Sequence, residues 1–304
     1  CGILLAVEHV ALPETKNHCD SLMANAIFLF DNQADDGVIT ASSTAGGTTP
    51  ASNVQNPQRS AVWRSGAGTT SQLNCTLSSI YGVTHAALVD VNLSTAGTIR
   101  LQSWSDALDG SVPGVDVTFY PTLYVNTALV STAWGMGPYG IGSYGLSGAL
   151  NSAKNITIIP LGLLSFDPYW RVTLSDINTS YQQFGRLFLG SGQELTYNLT
   201  YGWQADRQER SVSVESLGGQ RYTQPRDDRL QLRGTFDFLT DAERTEMLLR
   251  MQQFGQHRPF VFSVYPEQSN QGMTTTVYGS FSSVSVSGLF YNSNQLPFTV
   301  IEEL

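Results

Sequence analysis

Charged side chains are scarce in this chain: Asp, Glu, Lys and Arg make up 13% of its 304 residues, about half the share of an ordinary soluble domain. The shortage falls on the cations, 16 against 25 acidic residues, and leaves a net charge of -9. Affinity for phosphate comes mainly from Lys and Arg, so this balance argues against nucleic acid as a partner. Cysteine is equally sparse. Cys1, Cys19 and Cys75 are odd in number and have no C-x-x-C spacing, which supports neither a disulfide framework nor a zinc site. No apolar run approaches the roughly 18 to 20 residues that span a bilayer, and Gly2 to Val7 is soon followed by Glu8 and Pro13. Membrane insertion is therefore not expected.

The groups that carry catalysis are also thin. His9, His18, His85 and His257 are scattered, with no pair at metal-ligating spacing. A Gly-x-Ser-x-Gly nucleophile elbow is missing. The expectation is a protein that is not an enzyme and holds no cofactor or metal. Asp31, Asp35 and Asp36 beside Gly37 offer oxygens of the kind calcium takes, but their spacing is not that of an EF-hand and reads as a solvated turn. Five Asn-x-Ser/Thr sites, at Asn74, Asn92, Asn155, Asn178 and Asn198, would accept glycans in a eukaryotic secreted protein and also arise by chance in a Ser/Thr-rich chain.

What the sequence does hold is the texture of strands. Between Ala26 and Gly190, short runs rich in β-branched and aromatic residues recur: Ile27 to Phe30, Val38 to Thr40, Leu73 to Leu77, Ala86 to Val91, Thr98 to Trp104, Val115 to Phe119, Ile156 to Ile159, Trp170 to Leu174 and Arg186 to Leu189. Gly46-Gly47, Asn56-Pro57, Asp109-Gly110 and Asp167-Pro168 punctuate them as turns. Many short strands with little helical periodicity predict a β-sandwich or jelly roll. Within it, Trp134, Tyr139 and Tyr144 flank or interrupt a Gly-rich stretch, 135–145, that reads as a loop with exposed rings and supplies candidate partner or glycan contacts.

The texture changes near 191–194, and the chain divides into an N-terminal extension (1–22), a sandwich domain (23–192) and a β-rich α+β domain (193–304). The extension opens on Cys1-Gly2, which also suits the acylated end of a processed lipoprotein. In the last domain, Leu195 to Tyr201, Ser211 to Val214, Leu230 to Phe238, Phe260 to Tyr265, Thr274 to Val286 and Phe298 to Ile301 read as strands. Its one helix, about 240–255, starts on the capping box Thr240-Asp241-Ala242-Glu243, carries Met247, Leu248, Met251 and Phe254 as an apolar stripe, and stops at Gly255. Mixed charges gather between Arg207 and Arg233, where Arg226, Asp227, Asp228 and Arg229 are candidates for a subunit interface.

Two stretches, Asn53 with Val62-Trp63-Arg64, and Tyr169 to Leu174 with Phe184 to Gly190, resemble the discoidin-like (galactose-binding-like) jelly roll as used by minor structural proteins of bacteriophage tails. The order Leu-Thr-x-x-Glu, Gly-x-x-Arg-Pro, Tyr-Pro-Glu, Tyr-Gly-Ser-Phe and a final Glu-Glu-Leu is similar to distal-tail-like proteins over about 25–304. The resemblance implies that Asn53 and Trp63 hold the first hairpin and that Trp63 and Trp170 are core residues. It further implies a structural subunit of the phage tail, tail tip or baseplate, assembled in the bacterial cytoplasm as a homo-oligomeric ring with other tail proteins. The alternative reading is a carbohydrate-binding module of a secreted or surface protein, with a host-surface glycan as partner.

Overall fold

A computed structural model describes residues 25–121, 155–266, 275–290 and 293–303, apart from positions 95, 111, 217 and 225. The readings placed on 1–22, on Cys1 and Cys19, and on Trp134, Tyr139 and Tyr144 lie outside the described residues. Strands in the first part are β1 (Ile27–Leu29), β2 (Val38–Ala41), β3 (Trp63–Arg64), β4 (Thr70–Thr76), β5 (Val83–Val89), β6 (Thr98–Trp104), β7 (Val115–Phe119), β8 (Ile156–Ser165), β9 (Tyr169–Ser175), β10 (Gln183–Phe184) and β11 (Arg186–Gly190). The second part holds β12 (Gln193–Glu194), β13 (Gln204–Gln208), β14 (Val212–Glu215), β15 (Arg221–Gln224), β16 (Arg229–Leu239), α1 (Asp241–Phe254), β17 (Phe260–Ser263), β18 (Thr276–Val284), β19 (Ser287–Phe290) and β20 (Ser293–Glu302). The chain is mainly β, a jelly-roll sandwich followed by a β-rich α+β portion with α1, as its strand texture predicts.

The sandwich is a five-stranded antiparallel sheet, β2-β4-β9-β6-β7, facing a three-stranded one, β11-β5-β8. Alternation explains its core. On β9, Trp170, Val172 and Leu174 are buried while Arg171 and Thr173 turn outward, and β4 and β6 bring Leu73, Cys75, Ile99 and Leu101 to the same layer. Burial also pushes the Cys75 thiol up to about 12, so this sulfur serves as a small apolar filler. Trp63 meets Phe184 edge-on at 5.4 Å across the short β3–β10 pair, and the Asn53 amide donates to the carbonyls of Thr48 (3.1 Å) and Val62 (2.9 Å). The roles expected of Asn53, Trp63 and Trp170 are therefore the ones they have. The strands of the stretch Tyr169 to Gly190, β9 and β11, do not pair with each other but lie in different sheets. Asn155 is buried with its amide bonded to both backbone groups of Val91, which removes it as a glycan acceptor.

β1 departs from its expected place at the start of the sandwich. It pairs with β12 and β17 in the second sheet, whose order is β12-β1-β17-β18-β20-β16-β13, with β19 on β20. The cause is composition: a strand apolar on both faces must be covered on both. Phe28 and Phe30 enter a phenylalanine-rich core with Phe236, Phe260, Phe262, Phe281 and Phe298. Ile27 and Leu29 point the other way and pack on Val89, Ile158 and Phe188 of the sandwich, together with Val261 and Tyr278. Strands β5 and β11 behave alike, Leu88 and Leu187 turning into the sandwich and Val89 and Phe188 toward the second sheet. The result is a stack of five-stranded sheet, three-stranded sheet, long sheet and helix.

The helix begins as its capping box dictates, Thr240 Oγ1 accepting from the Glu243 amide while the Glu243 carboxylate accepts from the Thr240 amide. It ends at Gly255, whose φ of 51° lies in the region that favours glycine. Met247 and Phe254 are buried, but Leu248 turns away to 46% exposure. The strand expected over Leu195 to Tyr201 is irregular backbone; Gly202, at φ 105°, turns the chain before β13. Strands β14 and β15 form a hairpin exposed throughout, and Arg226 and Asp227 follow it as exposed residues. Asp228 there bonds Arg207 at 2.8 Å, and Arg229 opens β16.

Candidate functional site

Where one end of the sandwich meets α1, five chain segments enclose an open cleft of about 830 Å³, one of them giving only Ser191, just after β11. The stretch after β1 gives Asp31, Asn32, Gln33 and Asp36; the β4–β5 connection gives Ser78, Ser79, Tyr81 and Gly82; the end of β8 and its turn give Leu164 and Phe166; α1 and its exit give Arg250, Gln253 and Arg258. A jelly roll positions such groups well, because its loops start from paired strands. Thr76 of β4 and Tyr169 of β9 are partners, so the Tyr81 and Phe166 turns leave adjacent strands.

The apolar part of the cleft is unusual for a surface. Tyr81 is 60% exposed and Phe166 58%, with Leu164 beside them. Gly82 lets Leu164 lie close, since a Cβ at this position would stand 2.5 Å from Leu164 Cδ1 and push that side chain aside. The polar part is fixed from behind. Asn32 accepts from the Ala34 and Leu189 amides and donates to the Leu187 carbonyl, which leaves its backbone turn rigid. Arg250 Nη1 pairs with Asp31 Oδ2 at 2.5 Å, and Arg258 lies over the Phe254 ring at 4.9 Å. Gln33 Oε1 is buried and finds no donor among the described residues. Asp36 is exposed at the edge. Two exposed rings beside an amide acceptor, a free carboxylate and two guanidinium groups suit a ligand with an apolar face and a rim of hydroxyls.

Of Asp31, Asp35 and Asp36, the three carboxylates the sequence puts together, the first two are engaged by different arginines. Asp35 Oδ2 pairs with Arg186 at 2.7 Å, and its burial raises its pKa in spite of that guanidinium. Among the described residues no three or more His, Cys, Asp or Glu are placed to hold a metal, and no helix is long and apolar enough to cross a membrane. Sequence reasoning missed Tyr81 and Phe166; the signal was an aromatic inside each turn, Ile80-Tyr81-Gly82 and Phe166-Asp167-Pro168.

A smaller hollow beside the cleft contains His85 with Pro160, Leu163 and Glu194. Burial draws the His85 imidazole down to about 4 from an ordinary 6.5. The fold therefore accepts the neutral ring. Stability is complete above pH 6.5 and is lost as pH falls toward 4, because the unfolded chain takes a proton that the folded one resists. The full loss is on the order of 3 kcal/mol. Denaturant titrations at pH 7 and pH 4.5 are expected to show much of it in the wild type and a markedly smaller loss in His85→Gln.

No protein-family model matches the chain, and no curated protein matches it. Solved structures do. Chitosan-binding module 1 of a chitosanase/glucanase from Paenibacillus sp. IK-5 is 19% identical, over 53% of this chain and 99% of that one, with a TM-score of 0.35. The family 32 carbohydrate-binding module of NanJ from Clostridium perfringens, in complex with galactose, is 10% identical over 56% and 98%, with a TM-score of 0.36. A second Paenibacillus chitosan-binding module, in complex with chitotriose, is 16% identical over 53% and 100%, with a TM-score of 0.34. The reading as a tailed-phage structural subunit is corrected here: the three structures just named are carbohydrate-binding modules, and none is a tail protein.

Proposed function

We propose that the chain is a non-catalytic saccharide-binding protein of a secreted or surface setting, with its recognition site in the cleft between the sandwich and α1. The division near residue 192 is part of the same proposal, with β1 counted to the second unit. One observation carries the reading: Tyr81 and Phe166 stand open in a cleft whose polar lining includes the unsatisfied acceptor Gln33 Oε1 and the free edge of Asp36. A sugar ring has an apolar C–H face for the aromatic rings and hydroxyl donors for those oxygens. A purely apolar ligand would leave the amide and carboxylate unpaired at a cost of about 1–3 kcal/mol each.

The test is titration calorimetry of the full chain with galactose and with chitotriose, the ligands held by the modules above. Each ring removed costs about 1 kcal/mol of stacking. The double variant Tyr81→Ala, Phe166→Ala is therefore expected to weaken binding by roughly 10- to 100-fold, with thermal stability held, since both side chains are exposed. Binding that is unchanged in the double variant overturns the reading, as does failure of the wild type to bind either these probes or a broader glycan array.

A further inference from the structure

We propose a second saccharide site on the long sheet, in a groove of about 490 Å³ along β16 and β20 that contains Tyr201, Trp203, Arg233, Asp237 and Gln295. The inference rests on the saccharide reading above but on separate observations. Strand β20 runs between β16 and β18, and both of its ladders are interrupted at the groove. On one side Phe236 pairs with Leu296 and Leu239 with Asn294, so Asp237 and Phe238 together oppose Gln295. On the other side Phe281 pairs with Val300 and Ser283 with Thr299, which leaves Ser282 without a partner residue. Pro297, in the strand between them, has no N–H to give to either neighbour.

Such bulges re-aim side chains, and this one does so under strain. Phe238 has φ 63°, a left-handed conformation that a bulky side chain rarely adopts, and its ring is thrown outward against Tyr197. Its neighbour Asp237 lines the groove. Asp237 Oδ2 accepts from Thr200 Oγ1 at 2.8 Å, but Oδ1 is buried and finds no donor among the described residues. Tyr201 stands fully exposed at the rim. Trp203 behind it is fixed edge-on to Tyr265 at 5.9 Å. On the floor, alternation puts Arg233, Gln295 and Thr299 on the face opposite Leu232, Leu296 and Val300 of the core.

The chemistry selects the ligand. The lone carboxylate disfavours an anion, and the polar floor disfavours an apolar guest. A ring that stacks on Tyr201 while one hydroxyl donates to Asp237 Oδ1 and others accept from Arg233 and Gln295 satisfies every group. A chain with two such sites on different units binds a polysaccharide at two points.

Calorimetric stoichiometry with chitotriose and with galactose tests this on the wild type, on the cleft variant Tyr81→Ala, Phe166→Ala, and on the groove variants Tyr201→Ala and Asp237→Asn. Tyr201 is wholly exposed, so its variant reports on binding even where Asp237→Asn disturbs the bulge. The expected result is two sites per wild-type chain and one in either the groove or the cleft variant. A single site abolished by the cleft variant and untouched by both groove variants overturns the second site and leaves the first. A single site abolished by the groove variants alone supports this site and overturns the cleft. No binding by the wild type, to these sugars or across a glycan array, overturns both.

Discussion

Replacing Arg59 by Ala is expected to destabilise the folded chain by about 3–5 kcal/mol. Arg59 is 6% exposed, and its guanidinium lies between two carboxylates, one just after β5 of the sandwich and one on β20 of the long sheet. It meets Asp90 in a bidentate pair, at 2.5 and 2.6 Å, and Glu302 in a short hydrogen bond. Burial works against its charge, but the hydrogen bonds and charges of Asp90 and Glu302 outweigh burial and raise its pKa. Glu302 is engaged further, its second oxygen accepting from the Leu230 amide at 2.7 Å. Without the cation, two largely buried carboxylates lose the charge that ties them together across the junction. The exposed pair Arg100–Asp116, at 2.6 Å, is the matched control: solvent screens it, and Arg100→Ala should leave stability almost unchanged. Urea denaturation of both variants checks the contrast, and near-equal losses would refute the account of the junction.

Phe28→Ala should cost a similar ~3–5 kcal/mol, by a different route. The ring is fully buried, with six other phenylalanine rings at centroid distances between 4.6 and 6.4 Å. Truncation removes the centre of that cluster, and the surrounding strands cannot close on the gap because β1 is itself held by ladders on both edges. Hydrogen exchange gives the sharper readout. Protection is expected to fall first in β17 and β18 and to persist in β4 and β9, although Phe28 precedes the whole sandwich in sequence. Loss centred on β4 and β9 would show that β1 belongs energetically to the sandwich.

These two residues also mark how far the sequence could be read. Strands with one wet face were legible, because Trp170, Val172 and Leu174 alternate with Arg171 and Thr173 and so name their own buried side. The helix was legible from Thr240 and Glu243, whose reciprocal bonds are local chemistry. Ile27 to Phe30 could not be placed that way: a run apolar on both faces declares burial without declaring a partner. The cleft was hidden for another reason. Its residues come from five separated segments and form no motif, and an aromatic in a turn reads the same whether it fills a core or stands open, as Tyr81 and Phe166 do. The phage-tail reading rested on the order of weak motifs along the chain, which carries no physical constraint on what the surface binds.

Because β1 hydrogen-bonds to β12 on one side and to β17 on the other, the jelly roll is in effect threaded through a seam in its neighbour, leaving and re-entering at one doorway. Synthesis from the amino end then imposes an order of events. The apolar strand at Ile27–Leu29 emerges early and has nothing to join until the sandwich has been made and the later strands follow it out, so the sandwich is the part free to close first. The waiting strand is the segment most open to chance association in the interval, and the place where a chaperone would have most to protect.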